Sequence, residues 1–190
     1  MINEPVFVTL LVIDELEHLS VPYLIGGSFA STAYGRIRTT QDVDIVANLE
    51  QDQVNDFIAS LGVSFYADEA MIRNAITRRT SFNLIHLDTM FKVDIFLPKN
   101  RPFDQQQLAR RTRRIIDKAS SREVYFATPE DTILAKLEWY RLGGQTSERQ
   151  WRDIQGIFQQ RADLLDMDYL KESAQVLLVA DLLEGVLTES

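Results

Sequence analysis

Leu24-Ile25-Gly26-Gly27-Ser28 and, fourteen residues after Ser28, Asp42-Val43-Asp44-Ile45 decide how this 190-residue chain is read. The first stretch is a short apolar run stopped by two glycines and followed by small residues up to Gly35, which predicts strand, glycine turn and short helix. In the second, apolar and acidic residues alternate as in a strand. Side chains at i and i+2 leave a strand on the same face, so Asp42 and Asp44 present two carboxylates side by side. Carboxylates that close repel one another unless a cation neutralises them, and Mg²⁺ (or Mn²⁺) takes a few carboxylates together with water and substrate phosphates. Asp94, flanked by Val93, Ile95 and Phe96, is placed to be a third carboxylate if its strand lies beside 43–46. An Asp-x-Asp pair alone is more often a solvated strand end.

The glycine turn changes that balance. Glycines after a strand let backbone amides approach a phosphate closely, the helix that follows aims its positive end there, and the Ser28 hydroxyl adds a donor. By itself Gly26-Gly27-Ser28 is an ordinary strand-to-helix turn. Combined with a paired aspartate and a later strand aspartate, it describes a seat for a nucleoside triphosphate with metal. Arg36 and Arg38, just before the aspartates, are available to neutralise phosphates or to clamp the carboxylates.

Outward from this centre, residues 5–19 carry apolar side chains at mostly helical spacing, and 51–61 form an amphipathic helix ended by Gly62. Residues 82–87 and 90–97 are β-rich runs joined at Asp88-Thr89 as in a hairpin, closed by Pro98, and 124–127 form a short strand. From Thr128 the pattern turns helical. Thr128-Pro129-Glu130-Asp131 supplies a cap, a first-turn proline and acids, and Thr146 or Ser147 caps the next helix, with Trp151, Ile154, Ile157 and Phe158 facing inward. Two more helices fill 167–188. The expectation is an α+β chain, with a core over 1–127 and a helical segment over 128–190 closing over the nucleotide.

Composition narrows the classes. There is no cysteine, which removes disulfide scaffolds, thiolate metal sites and cysteine nucleophiles and fits a reducing cytoplasm. The N-terminal apolar run lacks a basic n-region and is not read as a signal peptide, and no stretch reaches the ~20 apolar residues of a membrane span. The net charge of -8 gives no general attraction for nucleic acid or anionic membrane. Charge is uneven, however: residues 101–122 hold seven bases against Asp104 and Asp117, between acidic flanks. That island is either an RNA-binding face or a solvated helix and strand face. His18 and His86 lack nucleophile or ligand partners and read as structural, and no Gly-x-Ser-x-Gly surrounds Ser28.

Leu24-Ile25-Gly26-Gly27-Ser28, Arg38-Thr39-Thr40-Gln41-Asp42-Val43-Asp44-Ile45 and Lys92-Val93-Asp94-Ile95-Phe96 resemble the glycine-turn, paired-aspartate and third-carboxylate motifs of the DNA polymerase beta-like nucleotidyltransferase superfamily. Residues 128–137 and Arg149-Gln150-Trp151-Arg152-Asp153 are similar to the helical half of the AbiEii-type toxins and their relatives. The resemblance implies a nucleotidyltransferase fold in which Lys136 and Asp153 join the site. Here Arg152 stands where those relatives carry a lysine before the aspartate, and Gly156 where they carry a further aspartate. Read from the residues alone, Lys136 is either a snorkelling surface lysine or a triphosphate ligand, and Asp153 is equally an ordinary charge on a helix surface.

These readings predict transfer of a nucleoside monophosphate from a triphosphate to an acceptor hydroxyl. Asp42, Asp44 and Asp94 would hold Mg²⁺ or Mn²⁺, with Asp94 as ligand or base. Gly26, Gly27, Ser28, Arg38 and Asp153 would bind the nucleotide and Lys136 would neutralise phosphate charge. The acceptor is a small molecule, RNA or protein. The rival expectation is an inactive nucleotide-binding protein of the same fold, including one half of a toxin–antitoxin pair with its partner protein.

Overall fold

The computed structural model describes residues 4–34, 42–117 and 121–189. Arg36, Arg38 and Lys118 therefore lie outside the described residues. The chain divides into two compact units, Met1–Gly26 with Thr40–Phe126, and Gly27–Thr39 with Ala127–Ser190. The short segment after Gly26, read above with the core, thus groups with the C-terminal helices.

The first unit is a seven-stranded mixed sheet with helices. In chain order its elements are α1 (Glu4–His18), β1 (Tyr23–Ile25), β2 (Asp42–Ala47), α3 (Val54–Leu61), β3 (Phe65–Tyr66), α4 (Glu69–Arg78), β4 (Ser81–His86), β5 (Lys92–Phe96), α5 (Pro102–Arg110), β6 (Thr112–Asp117) and β7 (Arg122–Phe126); α2 (Gly27–Tyr34) belongs to the other unit. Strands run in the order β3-β4-β5-β2-β1-β7-β6. The pairs β2/β5 and β1/β7 are parallel and the rest antiparallel.

Alternation along β2 sets the two faces. Val43, Ile45 and Ala47 are fully or almost fully buried, while Asp42, Asp44 and Val46 point to the other, partly open side. The same phase holds in β5, where Val93 and Ile95 are buried between Lys92, Asp94 and Phe96. Helix α1 packs on β2 through the side that carries Val8, Val12, Ile13 and Leu16. His86 is buried and packs edge-on against Phe65, its Nδ1 3.0 Å from Thr89 Oγ1, so it is structural.

The second unit is helical: α2, α6 (Pro129–Leu142), α7 (Glu148–Arg161), α8 (Met167–Val176) and α9 (Ala180–Glu189). Thr128 caps α6 by accepting from the Asp131 amide, Ser147 caps α7 through the Gln150 amide, and Asp166 caps α8 through the Tyr169 amide. Helix α6 is central. Its buried residues include Glu130, Asp131, Thr132, Ile133, Leu134, Lys136 and Leu137, so polar groups enter this core and must be satisfied there. Asp131 accepts from the Tyr169 hydroxyl at 2.6 Å and Glu130 from the Asp166 amide at 3.0 Å. Tyr34 of α2 donates to the Ala127 carbonyl at 2.6 Å. Among the described residues no helix is long and apolar enough to cross a membrane.

Candidate functional site

In the first unit the carboxylates stand in one row. In the parallel register of β2 and β5, Asp44 lies opposite Asp94 and Asp42 opposite Lys92. On the far side of β5, Asn83 of β4 lies opposite Asp94. On the other flank the Gly26 amide donates to the Asp44 carbonyl at 2.9 Å. The row across the sheet therefore reads Asn83, Asp94, Asp44, Gly26, and register-matched neighbours on adjacent strands share a face. Asp42, Asp44 and Asp94 thus emerge on one side of one sheet.

A fourth charge interrupts this acidic face. Lys92 Nζ lies 2.7 Å from Asp94 Oδ2. That hydrogen bond outweighs the opposing effect of partial burial and holds the Lys92 ammonium above the usual lysine range, and the negative charges of Asp94, Asp42 and Asp44 add to the effect. Among the described residues no three Asp, Glu or His side chains stand close enough to hold an ion ready-made. Mg²⁺ is seldom bound in all-protein cages and uses one or two carboxylates plus waters and substrate phosphates, so the hard oxygen donors of this row suit it chemically.

In the second unit a string of polar contacts begins at the glycine turn. Gly27 has φ of +54°, a left-handed conformation that a side chain would strain, whereas a Cβ at Gly26 would meet only ordinary contacts, Leu24 Cδ1 at 3.9 Å and Asp44 O at 4.0 Å. Of the two, Gly27 is the position whose conformation demands glycine. Ser28, buried in the first turn of α2, accepts from Arg149 Nη2 at 3.2 Å. Arg149 and Asp153 are four residues apart on α7 and so share a face, and Asp153 Oδ2 accepts from Lys136 Nζ at 2.9 Å. Lys136 is 7% exposed, so it is a buried, paired lysine and its snorkelling reading is set aside. Gly156, one turn further along α7, is buried.

Arg149 had no role in the sequence reading. In sequence it stands only as the first residue of the 149–153 motif, and in the structure its contact with Ser28 marks it. The basic island fares differently. Arg101 pairs with Asp104, Arg122 with Asp14 and Glu17, and the guanidinium carbons of Arg111 and Arg113 lie 4.5 and 5.3 Å from the Tyr125 ring centroid. These four bases have partners within their own unit.

No protein-family model and no curated protein matches the chain. Solved structures do. The antibiotic-resistance factor ANT(2'')-Ia in solution aligns with 97% of this chain and 94% of its own at 14% identity and a TM-score of 0.58. An antigenic nucleotidyltransferase-like protein from Paracoccidioides brasiliensis aligns over 98% and 93% at 17% identity and 0.59. The lincosamide antibiotic adenylyltransferase LnuA, solved with lincomycin bound, aligns over 82% and 96% at 16% identity and 0.51. The fold is that of a nucleotidyltransferase. The expected fold class, a mixed sheet flanked by helices with further helices at the C-terminal end, is the observed one.

Proposed function

We propose that the protein transfers a nucleoside monophosphate from a nucleoside triphosphate to the hydroxyl of an acceptor. The observation that supports this most is the in-register pair Asp44/Asp94 with Asp42 on the same face, on a fold shared with an enzyme solved in complex with adenylyl-2''-tobramycin. Asp42 and Asp44 would hold Mg²⁺ or Mn²⁺, which when bound supplies positive charge to the triphosphate and acidifies a nearby hydroxyl.

The chain's own groups account for the rest. Amides of the first turn of α2 and the Ser28 hydroxyl donate to phosphate oxygens. Within the helical unit, Arg149 and Lys136 would supply positive charge to phosphate held at Ser28, with Asp153 positioning Lys136. The acceptor oxygen attacks the α-phosphorus, the bond from that phosphorus to the oxygen bridging to the β-phosphate breaks, pyrophosphate leaves, and the hydroxyl proton passes to Asp94. ATP and a small hydroxyl-bearing acceptor are the starting candidates, because two of the neighbouring folds are a lincosamide antibiotic adenylyltransferase and ANT(2'')-Ia in complex with adenylyl-2''-tobramycin.

Incubation of the protein with each α-labelled triphosphate, Mn²⁺ and cell extract tests this. Label appearing on a small molecule, dependent on Asp44, is the expected result. Label on RNA or on a partner protein keeps the transfer reaction and moves the acceptor toward the toxin–antitoxin expectation. Binding of a triphosphate with no labelled product would leave the inactive relative as the reading.

A further inference from the structure

Asp42, Lys92, Asp94 and Asp44 form one square on the sheet. Register-matched neighbours across two strands are ~4.8 Å apart, and i, i+2 neighbours along one strand ~6.6 Å. Three corners are carboxylates and the fourth is an ammonium. The lysine stem spans the long edge of the square along its own strand and sets Nζ 2.7 Å from Asp94, although Asp42 is its neighbour in register. The square therefore contains a cation of its own, bonded to the carboxylate that the proposed reaction needs as ligand or base. Any metal ion that used Asp94 would meet the Lys92 charge at close range, where repulsion between like charges is several times RT even in a polar surrounding.

We propose that Lys92 is a positioning residue that holds Asp94 away from the metal until a triphosphate arrives, so that nucleotide and metal load the square together and not one after the other. The inference rests on the proposed nucleotidyl transfer. A lysine ammonium on a flexible four-carbon stem has several rotamers, and a triphosphate is the one reactant that offers it a stronger partner than a single carboxylate. Transfer of Nζ from Asp94 to phosphate frees Asp94 at the moment the acceptor must be deprotonated. The same exchange disfavours metal binding at Asp94 in the absence of nucleotide. Lys92 acts here by releasing Asp94, and no covalent bond to it forms or breaks during the reaction.

The test measures Mn²⁺ affinity by the loss of the free-ion spin resonance signal, on the full chain, without nucleotide and with a non-hydrolysable ATP analogue. Lys92→Met keeps the stem and removes the charge. The expected result is Mn²⁺ binding without nucleotide that is tighter by about tenfold or more than in the wild type, as removal of a contacting like charge predicts. The factor by which the analogue strengthens Mn²⁺ binding should shrink correspondingly, because binding coupling is reciprocal. Lys92→Arg, which retains the charge, should keep wild-type coupling. Lys92→Gln serves as the second neutral variant, with melting curves confirming that each variant is folded. Equal Mn²⁺ affinity in the wild type and both neutral variants, in a protein that still binds Mn²⁺ with the analogue and transfers nucleotide, overturns the role of Lys92 and leaves the transfer reading intact. Absence of Mn²⁺ binding in every variant, with and without the analogue, overturns both.

Discussion

Asp44 and Asp94 occupy directly opposed positions in the parallel ladder of β2 and β5. Their meeting is fixed by the core beneath them. A slip of one residue in β5 would put Asp94 in the apolar layer and lift Val93 and Ile95 out of it, and a slip in β2 would do the same with Asp44, Val43 and Ile45, so the burial of Val43, Ile45, Val93 and Ile95 also sets the carboxylates face to face. What brings like charges together here is hydrophobic pairing, and what makes the arrangement tolerable is a counter-charge: Lys92 in this structure, a divalent ion in the proposed reaction.

A metal with nucleotide should therefore stabilise the folded chain by mass action. Ligand at a hundred times its dissociation constant adds about 2.7 kcal/mol. The melting temperature of the wild type should rise with joint Mg²⁺ and ATP concentration, while Asp44→Asn keeps a normal baseline melting temperature and loses most of the rise. A wild type indifferent to millimolar metal and nucleotide would count against the catalytic reading.

The glycine turn gives a second, nucleotide-free prediction. Gly27 sits at φ +54° and Gly26 outside the left-handed region, with room for a Cβ. Gly27→Ala should cost about 1–2 kcal/mol in folding, the usual penalty for a side chain in the left-handed region, whereas Gly26→Ala should change stability by less than ~0.5 kcal/mol. Chemical denaturation of the two variants side by side checks the order. Equal losses would mean that the turn is not held as described.

Glu17 carries a pH prediction. Burial alone would raise its carboxyl, but the Tyr23 hydroxyl at 2.6 Å and the Arg122 guanidinium at 2.7 Å outweigh that and hold it below its ordinary value of 4.5. A depressed folded-state value means that the unfolded chain binds the proton first, so this contact stabilises the fold above about pH 4.5 and is lost as pH falls through the lower folded value. Glu17→Gln should lower stability at neutral pH and flatten its decline in acid. An acid limb of unchanged steepness in the variant would remove Glu17 as a contributor.

Much of this was legible in the sequence, and the exceptions have a common cause. Strands β2, β4 and β5 announce themselves because mostly apolar inward residues alternate with outward ones, and β1 because its short, wholly buried apolar run stops at two glycines. Strand β6 does not: it is an edge strand, exposed and rich in arginine, which is how sheet edges avoid further pairing. Helix α5 buries only Phe103 and Gln107, too few for a helical period, and α4 is marked mainly by its Asp68 cap. At the site, the aspartate row followed from strand phase, but the Lys92 bridge and the Arg149 contact with Ser28 depend on side-chain reach between positions that no periodicity relates. Burial of Lys136 was hidden for a similar reason. Its partner Asp153 lies on another helix.

Arg149 should act on nucleotide affinity. Exposed apart from its bond to Ser28, it contributes little to folding. Arg149→Ala should weaken triphosphate binding by about tenfold, in line with one charge-assisted phosphate contact of roughly 1.5 kcal/mol, with Arg149→Lys intermediate. The readout is the dissociation constant of a fluorescent triphosphate. Affinity unaltered in Arg149→Ala would confine the residue to holding Ser28.

Lys136 requires a test that separates folding from phosphate binding, because its ammonium is buried and bonded to Asp153. Lys136→Met removes the cation and leaves the Asp153 carboxylate without it. Loss of one partner from a fully buried pair costs about 3–5 kcal/mol, and the partial exposure of Asp153 brings the expected loss to about 2 kcal/mol. Lys136→Met combined with Asp153→Asn removes both charges, so the double variant should regain most of that stability, a non-additive result that measures the pair directly. Transfer should behave otherwise. If Lys136 supplies charge to the triphosphate, single and double variants should both lose roughly 10²-fold in rate, the usual consequence of removing one electrostatic contact to developing charge. A double variant that recovers transfer along with stability would make the Lys136–Asp153 pair a structural bridge between α6 and α7, and would leave Arg149 and Ser28 as the phosphate ligands of the helical unit.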